Sequence, residues 1–130
     1  MLAAQARALD LGLNSAGDGR AEMVAPWRED LVGDPDTQVI ASGVVTTLLD
    51  HCCGAAVMSC ITELASTATL DLRIDYMRPA APKAGIVAAA HCYKLTRKVA
   101  FVRAECWDVN RDDLVATAQA VFFVKRTEAE

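Results

Sequence analysis

The stretch GVVTTLLDHCCGAAVMSCIT, Gly43 to Thr62, governs the reading of the whole chain, because it is apolar almost throughout yet carries an acid, an imidazole and two adjacent thiols. Ser42 precedes it as a good N-cap residue and no proline interrupts it, so it predicts one long helix from Ser42 to about Leu64. The middle of that helix is apolar on nearly every side, through Val44, Val45, Leu48, Leu49, Cys52, Ala55, Ala56, Val57, Met58 and Ile61. A helix of this kind is enclosed by other elements.

The enclosing elements lie downstream. TLDLRIDYM (69–77) alternates strictly, with Leu70, Leu72, Ile74 and Tyr76 on one face and Asp71, Arg73 and Asp75 on the other, which predicts a strand with one buried face. RPAAPKAG breaks it; IVAAAHCYKL (86–95), VAFVRAECW (99–107) and LVATAQAVFFV (114–124) follow as three more strand-like runs, separated by the turns TRK and DVNRDD. Links this short predict antiparallel hairpins. Upstream, residues 2–11 predict a short amphipathic helix, NSAGDG (14–19) a turn cluster, RAEMVAPW (20–27) a strand ending near Pro26, and REDLVGDPDTQ (28–38) a loop. The sum is an α+β fold: a five-stranded antiparallel sheet curled around one central helix.

Composition agrees with that picture. The chain is 53% hydrophobic but only 5% aromatic, so Ala, Val, Leu and Ile must fill the interior. Its 130 residues are expected to form a single domain, with an N-terminal helix and turn over 1–18, a core over 19–124 and a tail over 125–130. A net charge of −4 argues against nucleic acid as a partner, since phosphate binding needs a basic face. The first residues, MLAAQARALDL, hold no apolar run long enough for a signal segment or a membrane span, so a cytoplasmic protein is expected. Without a secretion signal, the odd number of cysteines reads as reduced thiols acting as small hydrophobes. Cys52 and Cys53 diverge by about 100° on a helix and no CxxC occurs, so no metal site is expected.

The order of a strand, a long buried helix and four further strands resembles the hotdog fold. GVVTTLLD (43–50) followed by ATLDLRIDYMRPA (68–80), with VAFVRAECWD and LVATAQAVF in register behind them, looks like the PaaI-type (phenylacetate-degradation-like) acyl-CoA thioesterases, and the likeness runs over roughly 19–124. The resemblance implies an acyl-CoA substrate, no cofactor, and a homodimer or a tetramer. It places Asp50 on the family's helix-borne acid and Ala41, Ser42 and Gly43 on the His-Gly-Gly that opens the helix. Ser42 retains the backbone N–H through which the first glycine of that motif works; Ala41 lacks the imidazole, and Gln38 is out of register with the family's upstream amide. Thr69 falls where the family can place a hydroxyl that orients water. Hotdog proteins also include dehydratases and non-catalytic acyl-CoA binders, so the fold does not by itself fix an activity.

The residues support a hydrolytic reading from below. Thioester hydrolysis needs a group that activates water or attacks directly, and donors for the oxygen that gains negative charge. Asp50 is the only acid between Asp36 and Glu63, and a carboxylate among Leu48, Leu49 and Cys52 is costly unless it is paired or used. Gly43, Thr46, Thr47 and Gly54 lie within about 60° of it on a helical wheel, the glycines leaving room for a ligand. The free N–H groups at Ser42 and Gly43 suit a developing oxyanion, although an ordinary cap reads the same way. Eight residues at about 1.5 Å each separate Ser42 from Asp50 by about 12 Å, too far for one carbonyl, so a composite site in a homodimer is expected. His51 projects about 100° from Asp50 and reads as structural. Among the basic residues near turns, Lys83 and Lys94 included, Arg78, Arg97 and Lys98 are the better candidates for coenzyme A phosphates. The expectation is an acyl-CoA thioesterase with Asp50 as general base or nucleophile; a non-catalytic acyl-CoA-binding hotdog protein is the alternative and a dehydratase the third.

Overall fold

The structure, a computed structural model, describes residues 4–63 and 65–126. In chain order it runs α1 (Ala4–Ala8), β1 (Gly12–Gly17), β2 (Arg20–Ala25), a single 3-10 turn (Glu29–Leu31), β3 (Val32–Asp34), β4 (Val39–Ile40), α2 (Ser42–Ser59), β5 (Ala65–Tyr76), β6 (Ile86–Leu95), β7 (Val99–Trp107) and β8 (Ala116–Arg126). The main sheet is antiparallel with strand order β1-β2-β6-β7-β8-β5. The helix α2 packs on one face of it, chiefly against β2, β6 and β7.

Alternation explains how the sheet receives the helix. Along β6, Ile86, Ala88, Ala90 and Cys92 are buried; along β7 it is Ala100, Val102, Ala104 and Cys106; along β8 it is Ala116, Ala118, Ala120, Phe122 and Val124. Most of these are alanines, so the helix lies close to the strands, and Leu48, Leu49, Cys52 and Val57 are wholly buried against them. Burying a leucine this completely is worth about 2–3 kcal/mol.

The sheet has six strands rather than five. Asn14–Gly17, expected as turn, belongs to β1, and only Asp18 and Gly19 turn the chain. Both residues have positive φ (54° and 79°), the backbone of the tight two-residue hairpin that Asp-Gly favours, so β1 is made by its turn and its pairing to β2 rather than by an apolar pattern. The expected loop 28–38 contains the short β3 and leads into its pairing with β4. The helix expected over 2–11 is described only as Ala4–Ala8.

The helix boundaries also differ. Ala41 (φ −64°, ψ 143°) occupies the N-cap position and offers no side-chain cap, which puts Ser42 and Gly43 in the first helical turn. At the other end the helix stops at Ser59, well short of Leu64, which lies outside the described residues. Ser59 and Cys60 turn their side chains back onto the carbonyls of Ala56 and Val57, and the β-branched Ile61 and Thr62 that follow are poor helix formers.

One polar knot ties the end of β5 to the β7–β8 turn. The Arg78 guanidinium donates to both oxygens of Asp108 (2.7 and 2.9 Å) and to the Asp113 carbonyl (2.7 Å), while Asp108 also accepts from the backbone N–H of Ala81 (2.7 Å). The Arg78 bonds hold the Asp108 carboxyl well below the usual carboxylate range. A depressed acid contributes stability that is present above its unfolded pKa, near 4, and lost as pH falls toward its folded value. Asp108→Asn should therefore cost about 2 kcal/mol at neutral pH, with the gap to wild type narrowing below about pH 4. Urea titrations across pH check this; a constant gap would mean that the charge does not contribute.

Candidate active site

The sheet leaves one stripe of α2 uncovered. Buried residues occupy one broad side of the helix, and Gly43, Thr47, Asp50, His51, Gly54 and Met58, half-buried or exposed, follow one another along the other. Asp50 stands near the middle of this stripe. Its Oδ1 accepts a hydrogen bond of 2.8 Å from the Thr69 hydroxyl on β5.

That meeting depends on a bulge. Thr69 pairs with Phe122 and Asp71 with Val121, so Leu70 is the extra residue, and it is 60% exposed rather than sharing a face with Leu72 and Ile74 as strict alternation requires. The slip turns Thr69 toward the helix, the same side as Leu72, Ile74 and Tyr76 beyond it. The outer edge of β5 has no strand partner among the described residues.

The helix start forms the second part. Ser42 and Gly43 are exposed, and a Cβ built on Gly43 would meet nothing within 4 Å. Helical geometry leaves the N–H groups of Ser42 and Gly43 without intrahelical acceptors, whereas the next one, Val44, donates to the Ala41 carbonyl (3.0 Å). The turn is braced from β5: the Tyr76 hydroxyl donates to the Ser42 carbonyl (3.1 Å) and lies 2.5 Å from the Thr46 hydroxyl. Beside it opens a largely apolar cleft of about 350 Å³ whose walls include Val39, Ile40, Ser42, Val45, Tyr76 and Val115. Neither Tyr76 nor this cleft follows from the sequence pattern, which assigns Tyr76 to a buried strand face; the hydroxyl at the end of an alternating run is the one available signal.

Other candidates are placed differently. Gly54 lies on the same stripe as Asp50, where a Cβ added to it would make an ordinary contact, 3.7 Å, with the ring of Phe122 on β8. His51 donates through Nδ1 to the Thr47 carbonyl of its own helix (2.9 Å). Cys52 and Cys53 point into the core; burial pushes the Cys52 thiol up to about 12 and raises Cys53 as well, so neither supplies a thiolate near neutrality. Arg78, expected near a phosphate, is engaged by Asp108 and Asp113 instead. Arg97 and Lys98 lie in the β6–β7 turn and line a groove with Phe123, Lys125 and Arg126. This groove sits at the Thr69 end of the sheet, since Val99 pairs with Phe123 and Thr69 with the neighbouring Phe122.

The sequence profile of the thioesterase superfamily matches residues 38–115, a span that holds the helix start, Asp50, Thr69 and three of the four long strands. The chain belongs to the thioesterase superfamily. A conserved protein of Pseudomonas aeruginosa shares the fold at a TM-score of 0.85 with 28% identity, over 95% of each chain. A single-residue mutant of the phenylacetic acid degradation protein PaaI from Thermus thermophilus superposes at a TM-score of 0.79 with 25% identity, over 92% of this chain and 96% of that one. A candidate esterase of Halobacterium salinarum is 33% identical over 75 residues, which are 55% of this chain and 50% of that protein's length. The hotdog architecture and the PaaI likeness expected from the sequence are thus those of this superfamily member, with six strands in place of five. Among the described residues, no helix is long and apolar enough to cross a membrane.

Proposed function

We propose that the protein is an acyl-CoA thioesterase acting as a homodimer with two composite sites. The observation that carries this reading is the Asp50 carboxylate, held by Thr69, on the one helix face that the sheet leaves open and in line with the free N–H groups at Ser42 and Gly43. Two helices packed antiparallel along that stripe bring the N-terminus of each beside Asp50 of the other. The thioester carbonyl then sits at the first-turn N–H groups of one chain, where the helix dipole and donors favour the oxyanion. The partner's Asp50, as general base or nucleophile, attacks through water or directly. Thr69 donates its proton to Asp50, so its oxygen lone pairs remain to receive a water.

The rest of the substrate follows from this placement. The apolar cleft beside Ser42 suits part of the acyl or pantetheine chain, and the groove at Arg97 and Lys98 suits the coenzyme A phosphates. The name of the Thermus relative motivates including an aryl acyl-CoA, and the cleft motivates medium-chain ones.

A panel of short, medium and aryl acyl-CoAs, with thiol release as the readout, tests the proposal. Hydrolysis of at least one member at about 1 s⁻¹ or more, the lower end of ordinary enzyme turnover, is expected. Tight binding without thiol release would favour a non-catalytic acyl-CoA-binding protein, in keeping with Ala41 where the family has histidine. Hydration of an enoyl-CoA would instead favour a dehydratase, for which His51, bonded to its own helix, is badly aimed.

A further inference from the structure

The face of the sheet turned away from α2 plays no part in the site above. Alternation sets its residues, and three strands carry the same short pattern there: Arg20 and Glu22 in β2, Arg103 and Glu105 in β7, Arg73 and Asp75 in β5. Register lines these patterns up. Arg20 pairs with His91, His91 with Arg103, Arg103 with Gln119, and Gln119 with Arg73, which makes one row across the sheet. Two residues along, Glu22, Ala89, Glu105, Thr117 and Asp75 pair in the same succession and make a second. A basic row therefore runs beside an acidic one over five strands.

The chain itself satisfies these charges only weakly. Among the described residues, Arg20 and Arg103 have no acid within ion-pair distance, and Arg103 rests over the ring of Tyr93 (4.2 Å). Arg73 reaches Asp75 at 3.5 Å and Arg111 reaches Glu105 at 3.6 Å, both as exposed pairs, which contribute little. Between the rows, the small Ala89 and Thr117 leave a hollow of about 370 Å³ walled by Arg20, Arg103, Glu105 and Gln119. Burial and the two flanking guanidiniums hold His91 below its ordinary value, so it is uncharged near neutrality.

We propose that this outer face is an interface between two copies of the chain, closed by the basic row of each on the acidic row of the other. A two-fold axis lying in the plane of the face, between the rows and parallel to them, sets each strand against the same strand of the second copy, run in the opposite direction. Arg20 then faces the partner's Glu22, Arg103 the partner's Glu105, and Arg73 the partner's Asp75, and each pair occurs twice. The uncharged positions match as well, with His91 against the partner's Ala89 and Gln119 against the partner's Thr117. Tyr93 and Phe101, which flank the basic row, face the partner's Val87 and the partner's Trp107, so apolar meets apolar. Stacked sheets lie about 10 Å apart, a gap that an arginine and an acid close from opposite sides. The face lies across the sheet from α2, so this pairing neither requires nor blocks the dimer proposed above; with both, four chains assemble.

Sedimentation velocity of the full chain tests the interface at β7, the central strand of the rows. Arg103→Glu sets acid against acid in the middle of the face and should halve the wild-type mass, since like charges in contact suppress association. Glu105→Arg should do the same with cations, and it carries the same expectation if Arg103→Glu fails to fold. The double exchange, Arg103→Glu with Glu105→Arg, restores the complement and should restore the mass, as should an equal mixture of the two single variants. A wild type of four chains with single variants of two supports the interface and leaves the dimer above standing; a wild type of two chains with single variants of one supports the interface and removes that dimer. Single variants that keep the wild-type mass, a double exchange that stays at half of it, or a wild type that is already a single chain would overturn the proposal and give the face to solvent or to an unlike partner.

Discussion

Replacing Asp50 with alanine should leave a folded dimer whose turnover of a competent acyl-CoA has fallen by about a thousandfold, the middle of the range for loss of a positioned acid or base. The fold is expected to survive because Asp50 is not in the core. It stands on the uncovered side of α2, and its hydrogen bond to a side chain is the one from Thr69. Truncation leaves the Thr69 hydroxyl without this acceptor, but Thr69 is itself exposed and water can replace the carboxylate. Asp50→Asn separates charge from shape: the amide oxygen can still accept from Thr69, yet the group can neither take a proton from water nor attack, so the loss should be nearly as large. Circular dichroism and thermal melting report the fold, and initial rates of thiol release report the chemistry. Turnover within about tenfold of wild type in either variant would remove Asp50 from the mechanism.

What the sequence reveals, and what it hides, divides along the range of the interactions. The long helix and β5 to β8 are legible because each carries its own period, apolar all round for α2 and alternating for the strands, and because a buried helix demands a cover. The strand β1 carries no such pattern. Gly12–Gly17 is nearly all exposed, and only the Asp18–Gly19 turn marks it, a signal that the glycine-rich composition around it masks. The bulge at Leu70 is a property of register between β5 and β8, which no single strand encodes. Arg78 reads as one of the basic turn residues because its partners, Asp108 and Asp113, are 30 and 35 residues away and become neighbours only when β5 and β7 end at the same side of the sheet. The resemblance picks out Asp50 and Thr69 one by one, as the acid and as a hydroxyl that orients water; the hydrogen bond between them is seen only in the fold and needs the bulge. Tyr76 is hidden for the same reason as Arg78, since its role is a contact to Ser42 and Thr46 made across the fold.

Mixed dimers should recover activity that neither parent has. About 12 Å along α2 separates Ser42 from Asp50, so a carbonyl held at one chain's helix start is out of reach of that chain's own acid. Ser42→Pro removes the N–H assigned to the oxyanion, and the structure makes the substitution tolerable. Ser42 is the first helical residue, where proline costs no helix hydrogen bond, and Ala41 before it already has the extended ψ of 143° that a following proline demands. The Ser42 carbonyl keeps its bond from Tyr76. Each mutant homodimer, Asp50→Ala or Ser42→Pro, should be nearly inactive. A heterodimer joins the intact helix start of the first chain to the intact acid of the second, which gives one working site and one with both defects. Equal amounts unfolded together and refolded should pair at random, making about half of the dimers mixed and restoring about a quarter of wild-type activity. Native mass spectrometry of differently tagged chains counts the mixed dimers. Recovery in proportion to that count supports the shared site; mixed dimers without recovery would mean that the site lies within one chain or that Ser42 is not the donor.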